Sequence, residues 1–229
     1  YAYSAPQCIV IDGAFADWNG KAVNDVDGTE IGNPNIDISQ TGTNITGDRS
    51  YFFVGVQGDL CAGAYVPKAW TSHASIGGVT TVPSRRTAED FIRIYVDSDR
   101  SIKTGKVMAI GSFTIGADRM IEVCGLGCKI ISVRAFLYVG GTWAFVPIEV
   151  DSAKDDSRVE IGILAEAVGG DDGFDFLVEA TDWQGEADYA SNRTIALLPR
   201  MWAVDSSGTS QYATSLSHQR KLFYDGTNF

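Results

Sequence analysis

Apolar and polar residues alternate with a period of two along most of the chain. Phe174, Phe176, Val178 and Ala180 fall on one side of an extended segment, while Asp175, Glu179 and Thr181 fall with Leu177 on the other. Side chains of a strand point alternately to opposite faces, so this is the pattern of a half-buried antiparallel strand. Val159, Ile161 and Ile163 alternate in the same way with Arg158, Glu160 and Gly162. Stretches of this kind predict strands near residues 9–11, 36–40, 50–57, 90–97, 107–115, 118–124, 130–139, 143–150, 157–164 and 174–181, enough for two sheets. Turn chemistry separates them: Thr46-Gly47-Asp48-Arg49, Gly116-Ala117-Asp118, Gly140-Gly141-Thr142 and Asp155-Asp156-Ser157. One helical turn fits residues 164–168, ended by Gly169 and Gly170.

The expected fold is an all-β, two-sheet antiparallel β-sandwich, jelly-roll-like, spanning residues 8–199. Two segments lie outside that pattern. Residues 62–89 are polar and rich in Gly and Thr, and they read as a long loop excursion carrying Trp70 and His73. Residues 200–229 form a C-terminal extension, expected to pack on its own or a neighbouring subunit, within which 219–224 could make one further strand. Residues 1–7 are a short uncharged tail. Composition agrees with many short strands, since 25 of the 229 residues are Gly and no long Leu/Ala/Glu/Lys run occurs.

Charge changes the picture of partners. A net charge of -11 disfavours nucleic acid and anionic lipid, because such binding depends on Lys and Arg neutralising phosphates. No run approaches the roughly 18 apolar residues of a bilayer span. The N-terminal residues lack the charged region and apolar core of a leader, so the expectation is a mature secreted, extracellular protein. Cysteine usage leans the same way. Cys8, Cys61, Cys124 and Cys128 permit three pairings. Residues four apart in a strand lie ~13 Å from one another, beyond disulfide reach, but the glycines of Cys124-Gly-Leu-Gly-Cys128 let the chain fold back. That would leave Cys8 to meet Cys61; four buried thiols are the alternative. Asn44-Ile45-Thr46 and Asn192-Arg193-Thr194 match the N-glycosylation pattern and are expected in surface loops.

Five short signatures occur in fixed order: Ile11-Asp12-Gly13 with Asp17-Trp18, then Asn33-Pro34-Asn35-Ile36-Asp37-Ile38, Val96-Asp97-Ser98-Asp99 with Thr104-Gly105, the stretch from Ile115 to Val123, and Asp182-Trp183-Gln184-Gly185-Glu186-Ala187-Asp188-Tyr189. With these, the chain resembles the family 9 carbohydrate-binding modules and the related DOMON-type sandwiches, a group that also includes surface proteins of archaea and bacteria. The resemblance implies the sandwich fold. It leaves function open between sugar binding, haem binding and architecture. Haem would call for a Met and His axial pair, and His73 and His218 both lie outside the predicted strands, as does Met201.

The acidic loops are the best candidate chemistry. Asp25, Asp27 and Glu30 cluster before Asp37, and Asp97 and Asp99 alternate. Calcium takes six to eight oxygen ligands, which clustered carboxylates and loop carbonyls supply, so calcium is the expected cofactor. Ordinary solvated turn acids are the alternative. Among the five Trp residues, Trp18 and Trp183 belong to fold signatures, whereas Trp70 and Trp202 are candidates for stacking on a sugar ring. No metalloprotease, nucleophile-elbow or phosphate-loop motif is present, and the chain is expected not to be an enzyme. Two functions remain: a structural subunit of an extracellular filament or surface layer, its partners other copies of itself, with residues 1–7 as the donor strand; or a secreted module that binds a polysaccharide.

Overall fold

Ile38, Phe52 and Val54 from one layer of strands and Ile94, Val96 and Ile121 from another are all buried in a single apolar layer. The computed structural model describes residues 8–25, 31–46, 48–60, 90–110, 113–126, 129–169, 173–182 and 185–190. Their regular structure is strand apart from two single 3₁₀ turns, Ala16–Trp18 and Ala165–Val168. The chain is an all-β antiparallel sandwich. Its first sheet runs in the order β1 (Val23–Asn24), β2 (Ile38–Thr46), β3 (Arg49–Val56), β11 (Arg158–Leu164), β10 (Val150–Lys154). The second runs β13 (Ala187–Tyr189), β12 (Asp175–Thr181), β4 (Asp90–Asp97), β7 (Arg119–Leu126), β8 (Lys129–Val139), β9 (Thr142–Val146). A separate hairpin pairs β5 (Lys106–Ile110) with β6 (Phe113–Ala117).

Alternation decides which side chains fill the space between the layers. Val159, Ile161 and Ile163 face inward from β11, as do Phe176, Val178 and Ala180 from β12, with Phe52 and Phe174 stacked at 5.5 Å between ring centroids. Burying each large apolar side chain contributes roughly 1.5–3 kcal/mol. The predicted apolar faces of both strands are those observed. Leu177 turns the other way and joins Tyr95, Met120, Ile115 and Ala117 in a second cluster, where the β5–β6 hairpin covers the outer face of the second sheet.

Glu160 is where the expected polar face of β11 is overturned. It is fully buried, because the N-terminal segment crosses over it. Its Oε1 accepts from the backbone N–H of Asp12 at 2.8 Å and of Gly13 at 2.6 Å, and its Oε2 accepts from Trp18 Nε1 at 3.0 Å. Trp18 is buried with Phe15 and Phe53. The Ile-Asp-Gly and Asp-Trp signature is thus a clasp closed on one carboxylate.

Four predicted elements differ. Residues 9–11 make no strand; their segment is held by the Glu160 clasp and by Val10 N–H donating to Asp17 Oδ2 at 2.7 Å. The expected strand at 107–115 is a hairpin, β5 and β6, because the chain reverses between Ile110 and Phe113. The expected strand at 143–150 is two strands in different sheets, β9 and β10, divided where Pro147 has no N–H for a ladder. The strand at 36–40 begins at Ile38 and runs on to Thr46. Asn44 therefore lies in a strand rather than a loop, half-buried, with its Nδ2 donating to Thr46 Oγ1 at 2.8 Å. The 3₁₀ turn Ala165–Val168, capped by left-handed Gly169, matches the expected helical turn.

Candidate functional site

The acids expected to share one ion fall into two groups. At the end of β4, Asp97 and Asp99 meet Asp118, with one carboxylate oxygen of each within 4.8 Å of the others. The local fold explains the placement. Asp97 accepts from Ser101 N–H at 3.1 Å and Gly116 N–H at 2.9 Å, Asp99 from Thr104 Oγ1 at 2.8 Å, and Asp118 from Ser98 Oγ at 2.9 Å. Gly105, at φ 71°, lets the turn pass against β6, since a Cβ there would stand 2.5 Å from the Ala117 backbone. Burial raises the Asp97 carboxyl above its ordinary value and Asp118 adds to the rise, while the Gly116 and Ser101 N–H donors oppose it. Three carboxylates with hydroxyls beside them suit a hard cation, and each carboxylate retains further lone pairs. Asp118 was not in the expected set; its position in the turn before β7 gave no sign of the partner it meets.

The second group gathers Asp188 with Asp25 and Asp37. Asp188 stands opposite Ala180, which stands opposite Ile92. Asp97 lies further along the same strand, five residues from Ile92 by number, or about 16 Å. The two acidic groups therefore occupy opposite ends of the second sheet. Asp188 Oδ2 accepts from Ile38 N–H at 2.6 Å, tying β13 to the start of β2. Burial, then the charges of Asp25 and Asp37, push the Asp188 carboxyl up to about 6 against the N–H donors of Ile38 and Tyr189. Asp27 and Glu30 lie outside the described residues.

A pH dependence follows from Asp188. Its folded value exceeds its ordinary one, so in metal-free buffer its stabilisation is fully present below about pH 4 and is lost as pH rises through about 6. After allowance for solvent screening the loss is on the order of 1–2 kcal/mol. Thermal melts should show Asp188→Asn flattening the stability profile between those pH values; a variant with the parent's slope would mean another group titrates there.

A third feature crosses the outer face of the second sheet. Tyr189, Glu179, Arg93, Glu122 and Arg134 stand in register on five adjacent strands. Arg93 Nε pairs with Glu122 Oε2 at 2.9 Å and its Nη1 with Glu179 Oε2 at 3.3 Å, while Arg134 Nη2 reaches Glu122 Oε1 at 2.6 Å. Tyr95 and Tyr189 hydroxyls donate to Glu179 at 2.8 and 2.9 Å. Burial and Glu179 raise both phenols, Tyr189 to about 12. Burial alone would lower Arg93, but the hydrogen bond and charge of Glu122 outweigh it. The network satisfies itself, and it fixes strand register rather than offering a reactive group.

Other expected site residues are placed only in part. Cys8 is exposed and Cys124 buried; Cys61 and Cys128 lie outside the described residues, as do Asn192, Trp70, Trp202, Trp183, His73, His218 and Met201. So do residues 1–7, the excursion from 62 to 89 and residues 200–229. No helix among the described residues is long and apolar enough to cross a membrane. The chain matches no protein-family model, and no curated protein matches it.

Proposed function

We propose that this chain is a non-enzymatic structural protein of the cell exterior, a subunit of a surface filament or layer whose copies are joined by strand exchange and stiffened by calcium. The observation that carries this reading is the state of two sheet edges. β1 pairs only with Thr41 and Gln40 of β2, and β13 only with Glu179, Ala180 and Thr181 of β12. Gly42–Thr46 of β2 and Asp175–Leu177 of β12 thus have no strand on their outer side among the described residues. A half-filled edge offers backbone N–H and C=O groups to an incoming strand.

The tail Tyr1-Ala2-Tyr3-Ser4-Ala5-Pro6-Gln7 carries no charge and alternates large with small side chains over its first residues, which suits a donor to a neighbouring copy. Head-to-tail contacts of that kind yield fibres where their rotation does not close a ring. Calcium at the acidic ends of the second sheet would remove like-charge repulsion in a chain of net charge -11. Polysaccharide binding, the other role in the group the chain resembles, rests on Trp70 and Trp202 and takes second place.

Removing residues 1–7 should abolish polymers in negative-stain microscopy; polymers as abundant as the parent's would eliminate that segment as the donor. Excess chelator should lower the melting temperature by several degrees, and an unchanged melt would remove calcium from the proposal.

A further inference from the structure

β9 ends the second sheet, and among the described residues it lacks the protection that edge strands ordinarily carry. Thr142-Trp143-Ala144-Phe145-Val146 contains no charged residue in a chain of net charge -11. No register shift interrupts its pairing with β8, and Phe145 is 59% exposed. β10, which closes the first sheet, carries Asp151 and Lys154 within its five residues. Lysines, prolines and bulges are the usual devices that stop an edge from pairing, and an uncharged apolar edge without them is a template for another strand.

The direction of its backbone groups follows from the hairpin. Gly140 and Gly141 have φ of 61° and 86°, a two-residue loop with both central residues left-handed. Val139 and Thr142 therefore form the hydrogen-bonded pair beside the turn, and Leu137 with Ala144 the next. Tyr138 N–H points the other way, donating to the Asp118 carbonyl at 2.8 Å on the β7 side. Thr142, Ala144 and Val146 thus bond inward to β8, and Trp143 and Phe145 present their N–H and C=O groups outward. Pro147 follows with no N–H to add.

We propose that β9 pairs with β9 of a second copy, antiparallel and two-fold about Ala144. In that register Trp143 of each copy stands opposite Phe145 of the other, so the four outward N–H and C=O groups on each side meet in two hydrogen-bonded pairs. Ala144 faces Ala144 across the axis. Trp143 and Phe145 share a face with Tyr138 and Phe136, packed at 5.1 and 6.1 Å between centroids, and the two aromatic groups become continuous. Such an isologous contact is self-complementary, and cross-strand aromatic pairs are among the more favourable ones. A second copy fits better than a charged partner because the strip is neutral. It fits better than a sugar because Phe145 offers exposed apolar area, and Thr142 and the Trp143 indole N–H are the hydrogen-bonding side-chain groups on its strand. This contact is separate from the strand exchange proposed above, since it uses the opposite edge of the second sheet from β13.

Sedimentation of the full chain and of the chain without residues 1–7, which strand exchange does not join, tests it over a wide concentration range. In the shortened chain the mass should rise from the monomer value towards twice that value. Ala144→Lys, which sets two like charges together at the axis, should keep it at the monomer value. Phe145→Pro, which removes an outward N–H and the ring set opposite Trp143, should do the same. Under mild oxidation Ala144→Cys should give several-fold more disulfide-linked dimer than Thr142→Cys, whose register partner would be Val146. A parent that stays monomeric throughout, or a dimer indifferent to Ala144→Lys and Phe145→Pro, overturns the proposal. So does equal cross-linking at 142 and 144. A dimer lost on removing residues 1–7 overturns it as well, because the tail would then be the occupant of the edge.

Discussion

Replacing Glu160 with alanine is expected to lower stability by about 3–5 kcal/mol, the range for breaking a buried charged network. The carboxylate is fully buried and accepts three hydrogen bonds, from Asp12 and Gly13 N–H and from Trp18 Nε1. Alanine would leave all three donors without this acceptor, the Trp18 Nε1–H in the interior and the Asp12 and Gly13 N–H groups part-buried, and would open space beneath Trp18. Glutamine keeps the shape and one acceptor oxygen, so it should cost less. Urea unfolding followed by Trp fluorescence would measure both. A loss under about 1 kcal/mol for alanine would mean that water or a neighbouring group takes over the carboxylate's role.

Arg93→Met is the second large effect, about 3 kcal/mol at neutral pH. Arg93 is the only cation between Glu122 and Glu179 in the register across β12, β4 and β7. Methionine fills much of its volume, so the loss reports charge rather than a cavity. The sign of the pH response separates the two causes. If the cost is a Glu179 without its cation and a Glu122 left to Arg134 alone, acidification that neutralises carboxylates restores part of the stability. A deficit that is the same at pH 4 and pH 7 would assign the loss to packing.

The strands at 157–164 and 174–181 are legible because each presents one continuous apolar face to the opposite sheet, and period-two alternation records that directly. Glu160 escapes the same logic. Its alternation places it on the polar side of β11, and only the crossing of Asp12, Gly13 and Trp18 makes that side an interior. The run from 143 to 150 looked like one strand because its apolar content hardly changes across Pro147, although the residue that ends β9 was visible in the sequence.

Of the candidate ion site, Asp97 and Asp99 were legible from their Asp-Ser-Asp spacing. Asp118 and Asp188 were not, since both arrive through long-range pairing: Asp118 beside Ser98, and Asp188 against Ile38 from a distant strand. Asp188 did carry a trace, because it falls within a signature on the face of β13 that turns toward the core. The Arg93 ladder left a fainter one, a lone cation in the otherwise apolar Phe91-Ile92-Arg93-Ile94-Tyr95-Val96. A charge at the centre of such a strand needs partners on adjacent strands, but the sequence does not say which.

The passage of the chain at Pro147 from one sheet to the other has a mechanical consequence. β9 and β10 are consecutive, and each is zipped along five residues to a different layer, β8 on one side and β11 on the other. A pull on the β9 edge is therefore shared as shear by both layers instead of peeling one strand from its neighbour, and the corner at residues 147–149 is where that tension divides.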